Sequence, residues 1–328
     1  MLNFFKNHWL LIMLAVIATL LAIVWVQGKS NKTAKQSLPN LPSIAYPNLT
    51  GQKVPPAITF NLTGTDLPTQ VSLYQISPKS LNSVEAKALA KNFGFPENPS
   101  NISTDSVFGD YYLWLSGPQS LFVRLSPLDI NFVHDTSSSP ISSQGELPSE
   151  QVASNFIQNL ISTNDLTPTG ATLVINGSRK MFENNILELK LDPTITKTRV
   201  VDNNPTTSLV TSYLGKDGKV YSFLYKAGFA NPQNPTNYPA KTLEEVKESL
   251  LKEGKIVTIG QPTTEPALYV PTSVNIIRID SALLFYPPQP NTLYPIYILT
   301  GTAKTNEGDQ PVYIYTPAVN SKYIQGSS

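Results

Sequence analysis

Residues 208–225 read SLVTSYLGKDGKVYSFLY, and this stretch decides the fold class of the chain. Two runs rich in β-branched and aromatic residues, Ser208–Leu214 and Val220–Tyr225, flank the segment Gly215–Gly218. The Asp-Gly pair in that segment favours a tight hairpin turn, because both residues tolerate a positive φ. The stretch therefore predicts two antiparallel strands joined by a short turn.

Runs of the same kind recur on both sides of this hairpin, as half-buried strands require. The run richest in aromatic residues is Asp110-Tyr-Tyr-Leu-Trp-Leu115. The remaining predicted strands are Ala57–Leu62, Gln70–Ile76, Val107–Leu115, Ser120–Leu125, Asp129–His134, Ala171–Ile175, Asn185–Leu191, Thr196–Val201, Val274–Tyr286, Leu293–Ala303 and Val312–Thr316.

Three amphipathic helices interrupt the strands. The first is expected to begin with Ser83 as its N-cap and to stop at Gly94, and the second follows Ser149. The third opens at Thr242 with Glu245 three residues later, which is the pattern of a capping box. Each helix is too small to bury its own apolar stripe, so each must lie on strands. The sequence therefore predicts an α+β fold with helices packed on antiparallel sheets.

A helix among strands appears three times, which predicts repeated helix-on-sheet modules. The Ser/Pro-rich stretch 137–145 is the best candidate boundary between the first two. The predicted organisation is a short tail at 1–8, a transmembrane anchor at 9–27, a flexible tether at 28–56, α+β modules at 57–136, 146–228 and 240–320, and a tail at 321–328.

The N-terminal region contains an uncharged apolar run, WLLIMLAVIATLLAIVWV at residues 9–26. As a helix this run matches a hydrocarbon core of about 30 Å, and its terminal tryptophans suit the membrane interfaces. A small-residue cleavage site is missing, so we expect an uncleaved signal anchor that crosses the membrane once. The predicted anchor residues are Trp9, Leu10, Leu14, Ile17, Leu21, Val24 and Trp25.

Two signals disagree about the orientation of this anchor. Lys29, Lys32 and Lys35 follow the run and favour a cytoplasmic C-terminal domain by the positive-inside rule. The composition favours the outside, since only 14% of the residues are charged while Ser, Thr and Asn abound. Long domains can translocate despite flanking charge. We therefore expect a cell-membrane protein with an extracytoplasmic domain in a bacterial envelope.

Composition also excludes several kinds of site. The chain has no cysteine, which excludes disulfides, thiolate metal sites and cysteine nucleophiles. Its net charge of +1 is spread without a basic stripe, so nucleic acid is not an expected partner. Of its two histidines, His8 lies beside the predicted membrane span, and a histidine-based metal site is excluded by count. No phosphate-binding loop or dinucleotide fingerprint occurs, so no cofactor is expected.

An enzymatic interpretation depends on His134. With Asp135 and a distant serine it could formally build a catalytic triad, but no Gly-x-Ser-x-Gly elbow accompanies it. Glu244 and Glu245 are neighbours at a helix start, where they stabilise the helix dipole. The sequence therefore predicts that the protein is not an enzyme.

The tyrosines offer a candidate binding face near the C-terminus. Tyrosine combines apolar area with a hydroxyl and is enriched at interfaces. The alternative is that tyrosines on alternate strand positions simply cover the sheet, as they do for two of them in the last strand. The candidate residues are Tyr286, Tyr294, Tyr297, Tyr313 and Tyr315.

Several stretches carry a resemblance to a known family. They are Pro148-Ser-Glu-Gln-Val152 running into Phe156, Tyr213-Leu-Gly-Lys-Asp-Gly-Lys-Val-Tyr221, the helix from Thr242, and the closing strands at Ala282–Tyr286, Tyr294–Tyr297 with Gly301, and Tyr315–Ala318. With the N-terminal anchor, they resemble extracytoplasmic regulators of the YycH/YycI type, within the wider PepSY-like and cystatin-like group. The resemblance implies a regulator that restrains a membrane sensor kinase through its transmembrane helix and outer domain.

The leading expectation is a non-enzymatic, membrane-anchored extracytoplasmic module that binds or regulates another envelope protein, with a sensor kinase as one candidate. The alternative is a cell-surface structural protein or a protein that binds glycan or cell wall. A hydrolase is the third and least favoured interpretation.

Overall fold

A computed structural model describes residues 38–42, 49–62, 66–105, 109–230, 232–253, 255–260, 269–285 and 291–325. The chain divides into two compact units, residues 1–41 and 42–328, and the helices and strands below belong to the second. The predicted anchor at 9–27 lies outside the described residues. Within the described part of the chain, no helix has the length and apolar character needed to cross a membrane, so the predicted signal anchor gains no support.

Strands dominate the second unit. The described strands are β1 (Ile58–Phe60), β2 (Gln70–Gln75), β3 (Ser77–Pro78), β4 (Asn101–Asp105), β5 (Gly109–Ser116), β6 (Gln119–Arg124), β7 (Asp129–His134), β8 (Thr172–Met181), β9 (Ile186–Ile195), β10 (Thr198–Val201), β11 (Val210–Gly215), β12 (Val220–Tyr225), β13 (Phe229–Ala230), β14 (Thr236–Pro239), β15 (Lys255–Ile259), β16 (Pro271–Phe285), β17 (Thr292–Thr305) and β18 (Gly308–Pro317).

The described helices are α1 (Ser83–Asn92), α2 (Glu150–Thr163), α3 (Leu243–Glu253) and a 3₁₀ turn at Ser321–Tyr323. The N-cap of α1 is Asn82 and not the predicted Ser83, since the Asn82 side chain accepts hydrogen bonds from the next helical N–H groups. The capping box of α3 is confirmed: the Thr242 N–H donates to Glu245 at 2.8 Å, and the Glu245 N–H donates to the Thr242 hydroxyl at 3.3 Å.

One sheet of 16 strands runs through all three predicted modules, in the order β14-β2-β17-β16-β10-β9-β11-β12-β7-β6-β5-β4. Strand β8 joins it on β9, β1 on β16, and β18 on β17 and β15. Because β12 pairs with β7 and β10 pairs with β16, strands from separate predicted modules lie side by side. The predicted α+β fold of repeated helix-on-sheet modules is therefore wrong. The described fold is mostly β.

The hairpin of residues 208–225 is confirmed. Strands β11 and β12 pair antiparallel from Val210 opposite Tyr225 to Leu214 opposite Val220. The turn places Gly218 at a φ of +73°, and the Asp217 carboxylate accepts the Lys219 N–H at 3.2 Å. The Asp-Gly signal therefore located the turn, and the pairing carries a register shift between Tyr213 and Leu214.

The end of the predicted tether lies on the folded unit. The Thr50 hydroxyl donates to the carbonyl oxygen of Ile256 in β15 at 3.1 Å, and Lys53 forms an isolated bridge with Lys255. Thr50 is buried. Thr50 and Lys53, at the end of the predicted flexible tether of residues 28–56, are consequently held by β15.

Candidate functional site

The register of the long C-terminal strands aligns a row of polar side chains. Arg278 of β16 lies opposite Thr300 of β17, which in turn lies opposite Tyr313 of β18. Residues directly opposite each other share one face of a sheet, so these three side chains project from the same face. The next row on that face continues with Asp280 opposite Ile298.

A pocket of about 370 Å³ opens over this row. That volume lies in the range of small-ligand sites, roughly 300–1,000 Å³. Strand β10 adds a basic wall, and the loop before β11 closes another side. The lining residues are Lys197, Arg199, Pro205, Arg278, Asp280, Ser281, Ala282, Ile298, Thr300 and Tyr313.

The pocket is lined by three cationic side chains and one carboxylate. Arg278 donates from Nε to the Asp280 carboxylate at 2.7 Å, and both side chains are largely exposed. Lys197 belongs to the two-residue turn between β9 and β10, where it and Thr196 have φ values of +70° and +50°. Such a turn holds its second residue at the tip, and here it places an ammonium group beside the pocket.

Two polar side chains, those of Asp192 and Asn176, hold the guanidinium of Arg199 in place. Its Nε lies 3.5 Å from Oδ2 of Asp192, and its Nη1 donates to the Asn176 side chain at 2.8 Å. Asp192 is buried, and burial raises the pKa of its carboxyl above the ordinary value despite the nearby guanidinium. A guanidinium held in this way loses little freedom when it meets a ligand, which favours binding.

Thr300 contributes a hydroxyl that can still form a hydrogen bond. Its Oγ1 is buried and has no hydrogen-bond partner among the described residues. Leaving such a group unsatisfied costs about 1–3 kcal/mol, and a ligand oxygen would remove that cost when the Thr300 side chain turns its hydroxyl towards the pocket. With two guanidiniums and an ammonium group nearby, the donors suit the oxygens of a carboxylate or a phosphate.

The predicted tyrosine face is not presented to solvent. Tyr286 lies outside the described residues, while Tyr294, Tyr297 and Tyr315 are buried. Burial raises the pKa of Tyr297 to about 12, and the Tyr315 hydroxyl donates to the Asp202 carbonyl at 3.0 Å. The burial of these three side chains is what the alternative interpretation, tyrosines that cover the sheet, leads one to expect.

Among the candidate tyrosines that the structure describes, Tyr313 lines the pocket. It is partly exposed and lines the pocket beside Thr300. Arg199 and Arg278 carry no signal of a site in the sequence, because charged residues in strands occur on any solvated face. The alternation of Arg278 and Asp280 in one strand was a usable signal only once the neighbouring strands were known.

His134 and Asp135 form polar contacts with different residues of the following loop. The His134 Nε2 lies 3.3 Å from the carbonyl oxygen of Ser139, and its ring packs edge-on against Tyr221. The Asp135 carboxylate accepts bonds from Ser137 and Ser138, which lower its pKa to about 2. Across the described ranges, no group of three His, Asp or Glu residues is placed to hold a metal ion.

Comparisons with known proteins leave the family open. No protein-family model matches the chain, and no curated protein matches it. Among solved structures, the chain is similar to an uncharacterised protein from Eubacterium rectale, at a TM-score of 0.45 and 11% sequence identity. That alignment covers 80% of this chain and 87% of the other. A likeness at this level assigns no function, and the resemblance to YycH/YycI-type regulators stays a prediction.

Proposed function

We propose that the protein is a non-enzymatic, extracytoplasmic binding protein of the cell envelope, and that its pocket receives an acidic group of a partner protein. The single observation that carries this proposal is the aligned row of Arg278, Thr300 and Tyr313 beside Arg199 and Lys197. A row of donors on a rigid sheet positions an anion more accurately than loop side chains can.

The charges of the pocket favour an acidic partner. Asp280 neutralises Arg278 only through an exposed ion pair, and such pairs contribute about 0–1 kcal/mol. An incoming carboxylate can therefore share Arg278 at little cost. Lys197 supplies a further positive charge to the pocket, whereas the guanidinium of Arg199 is already paired with the buried carboxylate of Asp192.

A binding role also suits the chemistry of the lining. Asp280 is the carboxylate of the pocket, and Arg278 donates to it at 2.7 Å across an exposed ion pair. A carboxyl that acts as a general acid is typically buried, whereas the Asp280 side chain is 44% exposed. The low share of charged residues supports the extracytoplasmic location, and the family resemblance makes a membrane sensor kinase the first partner to test.

Photo-crosslinking in intact cells tests this proposal. A photoreactive residue replaces Tyr313, which is partly exposed and lies on the pocket face, and a matched chain carries it at Ser138, which is exposed on a loop that does not line the pocket. We expect a discrete protein adduct from position 313 alone, and its loss when Arg278→Glu is added. An adduct that survives Arg278→Glu, or one formed equally from position 138, contradicts the proposal. Adducts with cell-wall fragments alone would favour the glycan-binding alternative.

A further inference from the structure

The free edge of β8 extends the proposed site. We propose that an extended peptide segment of the partner pairs with β8 over residues 172–175 and places an acidic side chain in the pocket. This inference rests on the proposed function and names the part of the partner that is bound. It adds a surface that the pocket residues alone do not require.

Strand β8 is a long edge strand. Its ten residues pair with β9 alone within the described part of the chain, so the backbone groups on its other side have no strand partner there. Unpaired N–H and C=O groups along an edge are a template for an added strand, and several peptide-binding domains bind their ligands in this way.

The two halves of β8 differ in how well they resist pairing with a strand from another chain. The C-terminal half contains a register shift between Ile175 and Gly177, followed by Arg179 and Lys180. Bulges and basic side chains are the devices that keep edge strands from pairing with other chains. The segment Thr172–Ile175 has none of these devices, so it is the accessible half of the edge.

A shallow groove of about 610 Å³ lies beside this accessible half. Its walls include Ala171, Val174 and Thr194, and Val174 leaves 48% of its surface exposed. The alternate residues of the strand, such as Leu173, pack against the core. The groove can therefore receive one apolar side chain of an added strand.

The groove and the pocket are joined. Lys197 lines both cavities, and Arg199 donates to the Asn176 side chain of β8 from the pocket wall. Strands β9 and β10 lie between β8 and Arg278, so an acidic residue that continues past Thr172 meets the pocket at Lys197, the residue that lines both cavities. The complementary ligand is an extended segment with alternating apolar residues and an acidic residue at one end. A phosphate-bearing polymer meets the charges of the pocket but has no backbone to pair with β8.

Peptide binding to the purified full-length chain tests the inference. The probes are fluorescein-labelled ten-residue peptides of alternating valine and threonine, with two aspartates at either the N- or the C-terminal end. Matched peptides carry asparagines in place of the aspartates. We expect fluorescence anisotropy to show that one aspartate peptide binds at least tenfold more tightly than its asparagine counterpart, and that Lys197→Glu removes this preference.

Two changes then isolate the β8 edge. Val174→Lys should weaken binding at least tenfold, while Val152→Lys, on the exposed face of α2, leaves it unchanged. N-methylation of alternate peptide nitrogens should abolish binding in one parity and spare it in the other, because only every second N–H of an added strand faces β8. An unchanged melting temperature of each variant confirms that it is folded.

The outcomes separate the two proposals. Equal binding of aspartate and asparagine peptides overturns the acidic-ligand pocket. An aspartate preference that is insensitive to Val174→Lys and to both N-methylation patterns supports the pocket and overturns strand addition. If no peptide binds while position 313 still crosslinks to a protein partner, strand addition is also overturned.

Discussion

Arg199 forms an ion pair with Asp192, and its Nε lies 3.5 Å from Oδ2 of the carboxylate. The Asp192 side chain is only 2% exposed. The backbone N–H of Leu209 donates to the other oxygen of Asp192 at 3.0 Å. One partner of the ion pair is therefore inside the protein, while the other forms the wall of the pocket. The stability of the sheet and the electrostatics of the candidate site share this contact.

Loss of this ion pair should destabilise the protein. Arg199→Met leaves Asp192 buried without its cation, and removing one partner of a buried pair costs about 3 kcal/mol. Arg278→Met is the matched control, because its pair with Asp280 is exposed and contributes less than about 1 kcal/mol. Urea unfolding of both variants measures the difference. Similar small losses for both variants would show that Asp192 does not depend on Arg199.

Stability should also depend on pH through Asp202. Burial raises the pKa of Asp202 above 3.8, against the lowering effects of the Asn204 N–H and Lys226. Between 3.8 and the raised value, the folded protein binds more protons than the unfolded chain, so the stabilising contribution is lost as pH rises. The free energy of unfolding of wild type minus that of Asp202→Asn should therefore fall between pH 4 and pH 7. A difference that rises over this interval contradicts the buried environment.

Asp135 provides a control for this prediction, because its pKa is shifted in the opposite direction. Hydrogen bonds from Ser137 and Ser138 lower its pKa from 3.8 to about 2, and its side chain is solvated. Its contribution is therefore present above pH 3.8 and is lost as pH falls towards 2. The free energy of unfolding of wild type minus that of Asp135→Asn should therefore be constant between pH 4 and pH 7 and should decline only in stronger acid.

The long C-terminal strands should tolerate little change at Gly301. A Cβ at this position would overlap the carbonyl oxygen of Asn275 on β16. Gly301→Ala must push the backbones of two paired strands apart, and we expect it to cost at least about 2 kcal/mol. Gly177→Ala is the matched control, since a Cβ there meets no atom within 4 Å. Thermal unfolding should rank the two variants in this order, and equal melting temperatures would contradict the close approach.

Local signals predicted individual elements well. The Asp-Gly turn, the capping box at Thr242 and the strand Asp129–His134 depend on a few neighbouring residues, and the structure contains each of them. The fold class failed because it depends on pairing between strands that are distant in sequence. Strand β10 pairs with β16 across about 80 residues, and no local pattern encodes that choice.

The candidate site was hidden for the same reason. Arg199, Arg278 and Thr300 come from three different strands, and only the register of the sheet brings them together. Tyr313 was predicted because its residue type is favoured at interfaces. The same reasoning selected Tyr297, whose place on the opposite face buries it, and the sequence could not tell these two apart.

The Thr300 hydroxyl offers a way to separate binding from stability. Thr300→Val keeps the shape of the side chain and removes a buried hydroxyl that has no hydrogen-bond partner among the described residues, so the free energy of unfolding should stay constant or rise by up to about 1 kcal/mol. A ligand that uses this hydroxyl should bind about 5–10-fold more weakly, which corresponds to one lost hydrogen bond. The aspartate peptide and fluorescence anisotropy measure this change. Thr302→Val is the control, two residues along the same face of β17 and outside the lining of the pocket. Weaker binding in Thr302→Val but not in Thr300→Val would place the ligand further along the strand and overturn the assignment of the pocket.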